Sequence, residues 1–164
     1  MKTIKEVMAR SPISCGKNET IQTVANQMFK ANIGFLPVID ESKKVIGTIT
    51  DRDVCLAISK GHKPVHELKV QDVMNKNAHF IRQEEDVSSA LRLMRLNQVG
   101  RLPVVDTENH LEGVISLTRI ARKIKDSNEK AELEYAGREN IINTLGAIAE
   151  RNKSKKGVEA HTED

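Results

Sequence analysis

Two stretches of the chain repeat apolar residues at helical spacing, Ile21, Val24, Ala25, Met28 and Phe29 in one and Val87, Ala90, Leu91 and Met94 in the other. Intervals of three and four residues place each set on one side of a helix, so two amphipathic helices of about three turns are predicted. Each is followed by two β-branched runs around a polar turn. In the first case these are residues 36–39 and 45–50 around the turn 40–44, and the second turn is 106–110. Short apolar runs flanking a polar turn predict a β-hairpin. A further helix is expected over 53–59, ended by Gly61 and Pro64, with a counterpart starting near Arg119.

The similarity of the two stretches extends to a repeat. Residues 7–53 align with 73–119 at a constant offset of 66, without a gap and with 11 of 47 positions identical. Val7-Met8 matches Val73-Met74, Glu19 matches Glu85, Met28 matches Met94, and Gly34-Phe-Leu-Pro-Val-Ile-Asp matches Gly100-Arg-Leu-Pro-Val-Val-Asp. Each copy therefore reads as β-α-β-β-α, with the first strands expected at 12–15 and 78–81 and short lead-in helices at 3–8 and 67–74. The fold class is α+β. A unit of about 60 residues is marginal alone because it buries too little of its surface, so the copies are expected to pack as a pseudo-twofold pair. A cleft between two such halves is a usual place for a ligand. The expected organisation is a first repeat over 1–62, a second over 63–123, a C-terminal helical extension over 124–150 and a disordered tail over 151–164.

Composition narrows the class. With 38% hydrophobic and 30% charged residues the chain is an ordinary globular sequence, and having no Trp and one Tyr makes its core aliphatic. No run approaches the length needed to cross a bilayer, and residues 1–10 are too charged for the apolar part of a signal peptide, so a cytoplasmic protein with no membrane partner is expected. The formal charge of +3 gathers near the C-terminus, but base-stacking aromatics are not interleaved with it, which argues against nucleic acid. Two cysteines, Cys15 and Cys55, are too few for a disulfide framework. His62 and His66 are separated by Pro64, which spoils the helix that would align them on a metal, and no nucleophile has a recognisable base partner. Neither a metal site nor a catalytic residue is expected, and the protein is read as no enzyme.

The lead-in Val-Met, the doubled Gly-x-Leu-Pro-Val-(Ile/Val)-Asp, and Gly47-Thr-Ile-Thr-Asp-Arg-Asp53 together resemble the CBS (cystathionine β-synthase) domain pair, or Bateman module, over residues 1 to about 123. The resemblance extends to bacterial stand-alone CBS-pair proteins. It implies a regulatory module that binds an adenine nucleotide (AMP, ADP, ATP or a related adenosyl ligand) between the repeats, forms a homodimer and signals to an unknown protein partner. Thr50 and Asp53 are then the ribose residues. A carboxylate accepts hydrogen bonds from both hydroxyls of a sugar diol, and Asp53→Ala is expected to cost about 1.5–3 kcal/mol of binding with little loss of stability. Thr50 and Asp53 would equally suit a plain helix start, where hydroxyls and carboxylates are favoured anyway.

The resemblance further implies that adenine lies against Ala78, His79, Phe80 and Ile81 and that Arg101 meets phosphate; Arg119, where the second copy departs from the family's motif, is expected to point toward phosphate as well. Arg119 stands where the second copy would carry the carboxylate, and arginine only donates. The second cleft, lined by Ile13, Ser14, Cys15 and Ser116, is therefore expected to bind poorly. Arg119 would equally suit a surface helix or an ion pair. The alternative to the whole reading is a ligand-free interaction module acting through dimerisation and a C-terminal helix, in which Ile141, Leu145 and Ile148 share a face and Gly137 is a candidate break.

Overall fold

The structure is a computed structural model and describes residues 3–61, 63–125 and 132–154. Its elements run α1 (Ile4–Val7), β1 (Ala9–Arg10), β2 (Cys15–Gly16), α2 (Ile21–Ala31), β3 (Phe35–Ile39), β4 (Val45–Thr50), α3 (Asp51–Ser59), α4 (Val70–Val73), β5 (Ile81–Arg82), α5 (Val87–Asn97), β6 (Arg101–Val105), β7 (Leu111–Ser116), α6 (Leu117–Lys125) and α7 (Glu132–Ser154). The repeat holds down to single backbone angles. Asn32 and Gln98, 66 residues apart, both end their helices in the left-handed conformation, with φ of 51° and 52°. The hairpin residues Lys43 and Asn109 share it, at 65° and 69°.

The helices begin where their sequences supply an acceptor. Thr20 receives the Thr23 amide at the start of α2, and Asp86 receives that of Ser89 at the start of α5. Each thereby satisfies one of the amides that a helix start leaves without an intrahelical partner.

Two compact units result, and they cut across the repeat boundaries. One comprises Met1–Ala9, Ile81–Val104 and Val114–Asp164; the other Arg10–Phe80 and Val105–Gly113. The first unit carries a sheet of order β1-β7-β6-β5. In its core, Ile4, Val7 and Met8 from the chain start pack with Leu91, Met94, Leu102, Ile115 and Ile120 of the second repeat. The Ile4 amide donates to the Glu85 carbonyl at 2.8 Å, fixing α1 there. The second unit carries the sheet β2-β3-β4, β2 parallel and β4 antiparallel to β3. Its core joins Ile21, Val24, Leu36, Val38 and Ile49 of the first repeat to Val70 of α4. Each lead-in helix thus completes the core of the other copy's body.

Several elements differ from the sequence expectation. The first strands are only Cys15–Gly16 and Ile81–Arg82, so residues 12–14 and 78–80 lie in connecting chain. The lead-in helices shrink to one turn each, and β1 is an additional short strand. Helix α7 starts later and ends later than expected, at Ser154; residues 155–164, the rest of the expected tail, lie outside the described residues. Gly137 does not break α7. A Cβ there would lie 3.1 Å from the Ile124 side chain, so glycine lets α7 close on α6. The buried face of α7 is Ile141, Thr144 and Ile148, while Leu145 is 53% exposed.

Candidate functional site

Thr50 is the last residue of β4 and the N-cap of α3, so the strand's end and the helix's start share one residue. Asp53 occupies the third helical position, two residues further into α3 than the expected start at 53. The two form a reciprocal cap. The Asp53 amide donates to Thr50 Oγ1 at 3.2 Å, the Thr50 amide donates to Asp53 Oδ2 at 2.9 Å, and the Thr50 hydroxyl donates to the same Oδ2 at 2.7 Å. This is the pairing that a hydroxyl residue followed three positions later by an acid produces at a helix start. Both side chains are half-buried. Because Oδ2 carries the whole cap, Oδ1 of Asp53 is left to accept from something else.

The segment that follows α4 runs directly beside this point. Asn75 bridges Thr48 through two backbone hydrogen bonds of 2.9 and 3.0 Å, and from there the chain continues to Ala78, His79 and Phe80 in the same unit. Gly47 makes the crossing possible, since a Cβ on it would sit 2.9 Å from Met74 Sδ and 3.0 Å from the Asn75 carbonyl. Ala78 and Phe80 are half-buried and His79 is exposed. Ile81 differs from the expectation: only 1% exposed, it is a core residue of the other unit and offers no surface to a base.

In the second repeat, Ser116 Oγ accepts the Arg119 amide at 3.1 Å and lies 3.0 Å from Thr118 Oγ1, so the cap is kept in one direction only. Arg119 lacks an acceptor to return it. Its Nε instead donates to the Val7 carbonyl at the end of α1. That carbonyl has no partner within its own helix, and a cation suits the negative end of a helix dipole. The side chain is therefore neither a loose surface group nor paired with an acid through that nitrogen. Arg101 begins β6 and is exposed.

The residues expected to line the weaker cleft divide. Ile13 is 45% exposed and Ser14 half-buried. Cys15 is 1% exposed, a core residue whose thiol burial pushes up to about 12, with the nearby Glu19 charge adding to the effect. It belongs to the packing of β2 on β3. Ser14 and Cys15 also border an open pocket of about 310 Å³ with residues 16–19 and 39–41. This pocket lies where Gly16 pairs with Ile39, whereas Thr50 pairs with Phe35 at the opposite end of β3. Its acidic walls are occupied with holding loops: Glu19 accepts the Gly16 amide and the Gln27 side chain, and Asp40 accepts the amides of Ser42 and Lys44. Lys44 in particular holds Asp40 below the ordinary carboxylate range.

Among the described residues no group of three metal-ligating side chains converges, and no helix is long and apolar enough to cross a membrane. The reciprocal cap was readable in the Thr-x-x-Asp spacing. The Arg119–Val7 bond and the crossing at Gly47 were not, because both join residues far apart in sequence.

The architecture and the helix start at Thr50 define a duplicated α+β module. The sequence family described as the CBS domain matches residues 4–60 and 70–126, and the chain belongs to that family as a tandem pair. It is 38% identical over 125 residues to inosine-5'-monophosphate dehydrogenase of Methanocaldococcus jannaschii, covering 76% of this chain but 24% of that enzyme. The CBS domain-containing protein YhcV of Bacillus subtilis is 31% identical over 135 residues, 80% of this chain and 91% of YhcV. Among solved structures, the CBS domain pair of protein MJ0100, in complex with 5'-methylthioadenosine and S-adenosyl-L-methionine, superposes with a TM-score of 0.69 at 26% identity. It covers 76% of this chain and 97% of that one.

Proposed function

We propose that this chain is a regulatory, non-catalytic module that binds an adenine nucleotide or related adenosyl compound at Thr50 and Asp53. The observation that carries the reading is the division of labour within the Asp53 carboxylate, one oxygen closing the helix cap and the other remaining for a ribose hydroxyl. An ionised acceptor makes stronger hydrogen bonds than a neutral one. Both ligands named for the MJ0100 pair contain an adenosine, which supports the class of ligand without choosing among AMP, ADP, ATP and an adenosyl thioether or sulfonium. Adenine packs on Ala78, His79 and Phe80 in this reading, and Arg101 and the terminal nitrogens of Arg119 meet phosphate. The site containing Ser116 is the poorer one, because Arg119 replaces its acceptor. A cytoplasmic setting, a homodimer and a protein partner that responds to occupancy complete the proposal. A ligand moves such a partner only by its different affinity for two states of the module.

Isothermal titration with AMP, ADP, ATP and S-adenosyl-L-methionine tests it. Asp53→Asn keeps an oxygen for the Thr50 cap while removing the charge, and binding should weaken at least tenfold, within the roughly 1.5–3 kcal/mol carried by a hydrogen bond to a charged group. Equal affinity in the variant would remove Asp53 from the site. No heat from the wild type with any of the four, at near-millimolar ligand, would leave the interaction-module reading.

A further inference from the structure

Equivalent stretches of the two repeats carry very different charge. Residues 21–39 and 47–59 of the first repeat hold two cations, Lys30 and Arg52, and two acids, Asp51 and Asp53. Their counterparts 66 residues later hold Arg92, Arg95 and Arg101 within 87–105 and Arg119, Arg122, Lys123 and Lys125 within 113–125, with no acid in either stretch. The net charges are therefore 0 and +7, in a chain whose total is +3. The acids of the intervening turn, Asp106, Glu108 and Glu112, belong to the other compact unit. Both pairs of stretches build the same helices and strands, so the fold itself does not call for the difference. Gathering like charge costs self-repulsion in the compact state, which leaves the excess to be explained by what it meets.

Two of these cations have duties already. Arg119 donates to the Val7 carbonyl, and Arg101 belongs to the nucleotide reading. The other five, Arg92 and Arg95 on α5 and Arg122, Lys123 and Lys125 on α6, are all exposed, and among the described residues none of them makes an ion pair. The two helices belong to one layer of the first unit. They bury their other sides in one core, through Leu91 and Met94 and through Leu117 and Ile120, and α7 closes on both, at Leu91 and at Ile124.

The side chains around these cations select among anionic partners. Neither helix carries an aromatic residue on which a base would stack. The apolar side of α6 is inside the core, so this basic helix has no face to lay into a bilayer. What remains suits carboxylates. Three of the five cations are arginines, whose planar fork pairs with a carboxylate through two hydrogen bonds. Leu96, 67% exposed and one turn beyond Arg92, adds an apolar contact beside them.

We infer that the outer sides of α5 and α6 dock an acidic segment of a protein partner. This gives the partner of the functional proposal a surface and a chemistry, rests on that part of the reading, and does not depend on the ligand.

Fluorescence anisotropy of the full chain with labelled short poly-L-glutamate, in the absence of nucleotide, tests it. The wild type should bind, and the affinity should fall as salt is raised, because exposed charges are screened. The pairs Arg92→Gln/Arg95→Gln and Arg122→Gln/Lys125→Gln, at exposed helical positions where glutamine is a comparable helix former, should each weaken binding roughly tenfold with unchanged circular dichroism. Lys60→Gln/Lys63→Gln removes the same charge from the other unit and should leave the affinity unchanged. No binding of polyglutamate, no loss in either arginine-containing pair, or an equal loss in the Lys60/Lys63 pair would overturn the assignment. Tighter binding of oligothymidylate, or of phosphatidylcholine–phosphatidylserine vesicles, through the same side chains would overturn it in favour of a nucleic acid or a membrane. A chain that binds polyglutamate but no adenosyl ligand keeps this surface and loses the nucleotide site.

Discussion

Asp53 and Arg119 occupy equivalent positions in two copies of one unit, and each is tied to the backbone by a different chemistry. Asp53 accepts at its own helix start, whereas Arg119 donates to the end of a helix 112 positions earlier in the chain. The cap also changes what the simplest substitution would report. Asp53→Ala removes an arm of the cap as well as a ligand contact, so the small stability loss expected from sequence does not apply, and Asp53→Asn is the cleaner probe. The two cysteines separate at the same scale. Burial keeps Cys15 protonated at neutral pH, and the thiolate is the reactive form, while Cys55 is exposed on α3. A colorimetric thiol reagent should therefore titrate one thiol per native chain and two after denaturation. Two fast thiols in the native protein would contradict the placement of Cys15.

At the scale of elements, α1 is a single turn whose stability comes from where it docks. Isolated helices of this length do not persist in water, so the burial of Ile4 and Val7 beneath α5 and α6 must hold it. Ile4→Ala should cost about 2–4 kcal/mol in urea unfolding, the range for a large aliphatic side chain removed from a packed core. A loss below 0.5 kcal/mol would mean that α1 is not part of that core.

Helix α5 makes a pH-dependent prediction. The Ser89 amide in particular, with further bonds from the Ser89 side chain and the Ser88 amide, holds the Asp86 carboxyl below its ordinary value against the opposing effect of desolvation. A folded-state value below the unfolded one adds stability that is complete above the unfolded value, near pH 4, and is lost as pH falls through the folded one. Asp86→Ala should destabilise by about 1 kcal/mol at neutral pH, and the difference from wild type should shrink below about pH 4. A difference that stays constant down to pH 2 would show that the carboxylate's charge plays no part in the cap.

At the scale of the whole molecule, the repeat was legible because both copies keep the same apolar spacing and turn residues. The offset of 66 carried through to paired left-handed residues at 32 and 98 and at 43 and 109. The lengths of the first strands and the buried face of α7 were less legible. Residues 12–15 and 78–81 have strand-like composition, yet only the last residue of each stretch, Cys15 and Ile81, enters a strand. On α7, Thr144 wins the inward position from Leu145 because its hydroxyl can donate to the Asn140 and Leu91 carbonyls, which an apolar pattern does not register.

Local order in the chain determined what local chemistry can specify: the long amphipathic helices and the two hairpins, where those helices are capped, and that Thr50 and Asp53 form a pair while Ser116 and Arg119 cannot. Those properties depend on residues within three or four positions of one another. Tertiary structure alone decided that each lead-in helix completes the other copy's core, that Arg119 is held by Val7, that residues 74–75 cross β4 at a glycine, and that α7 covers one of two equivalent faces. Each of these joins residues far apart along the chain, and their energies arise only when distant surfaces leave water together.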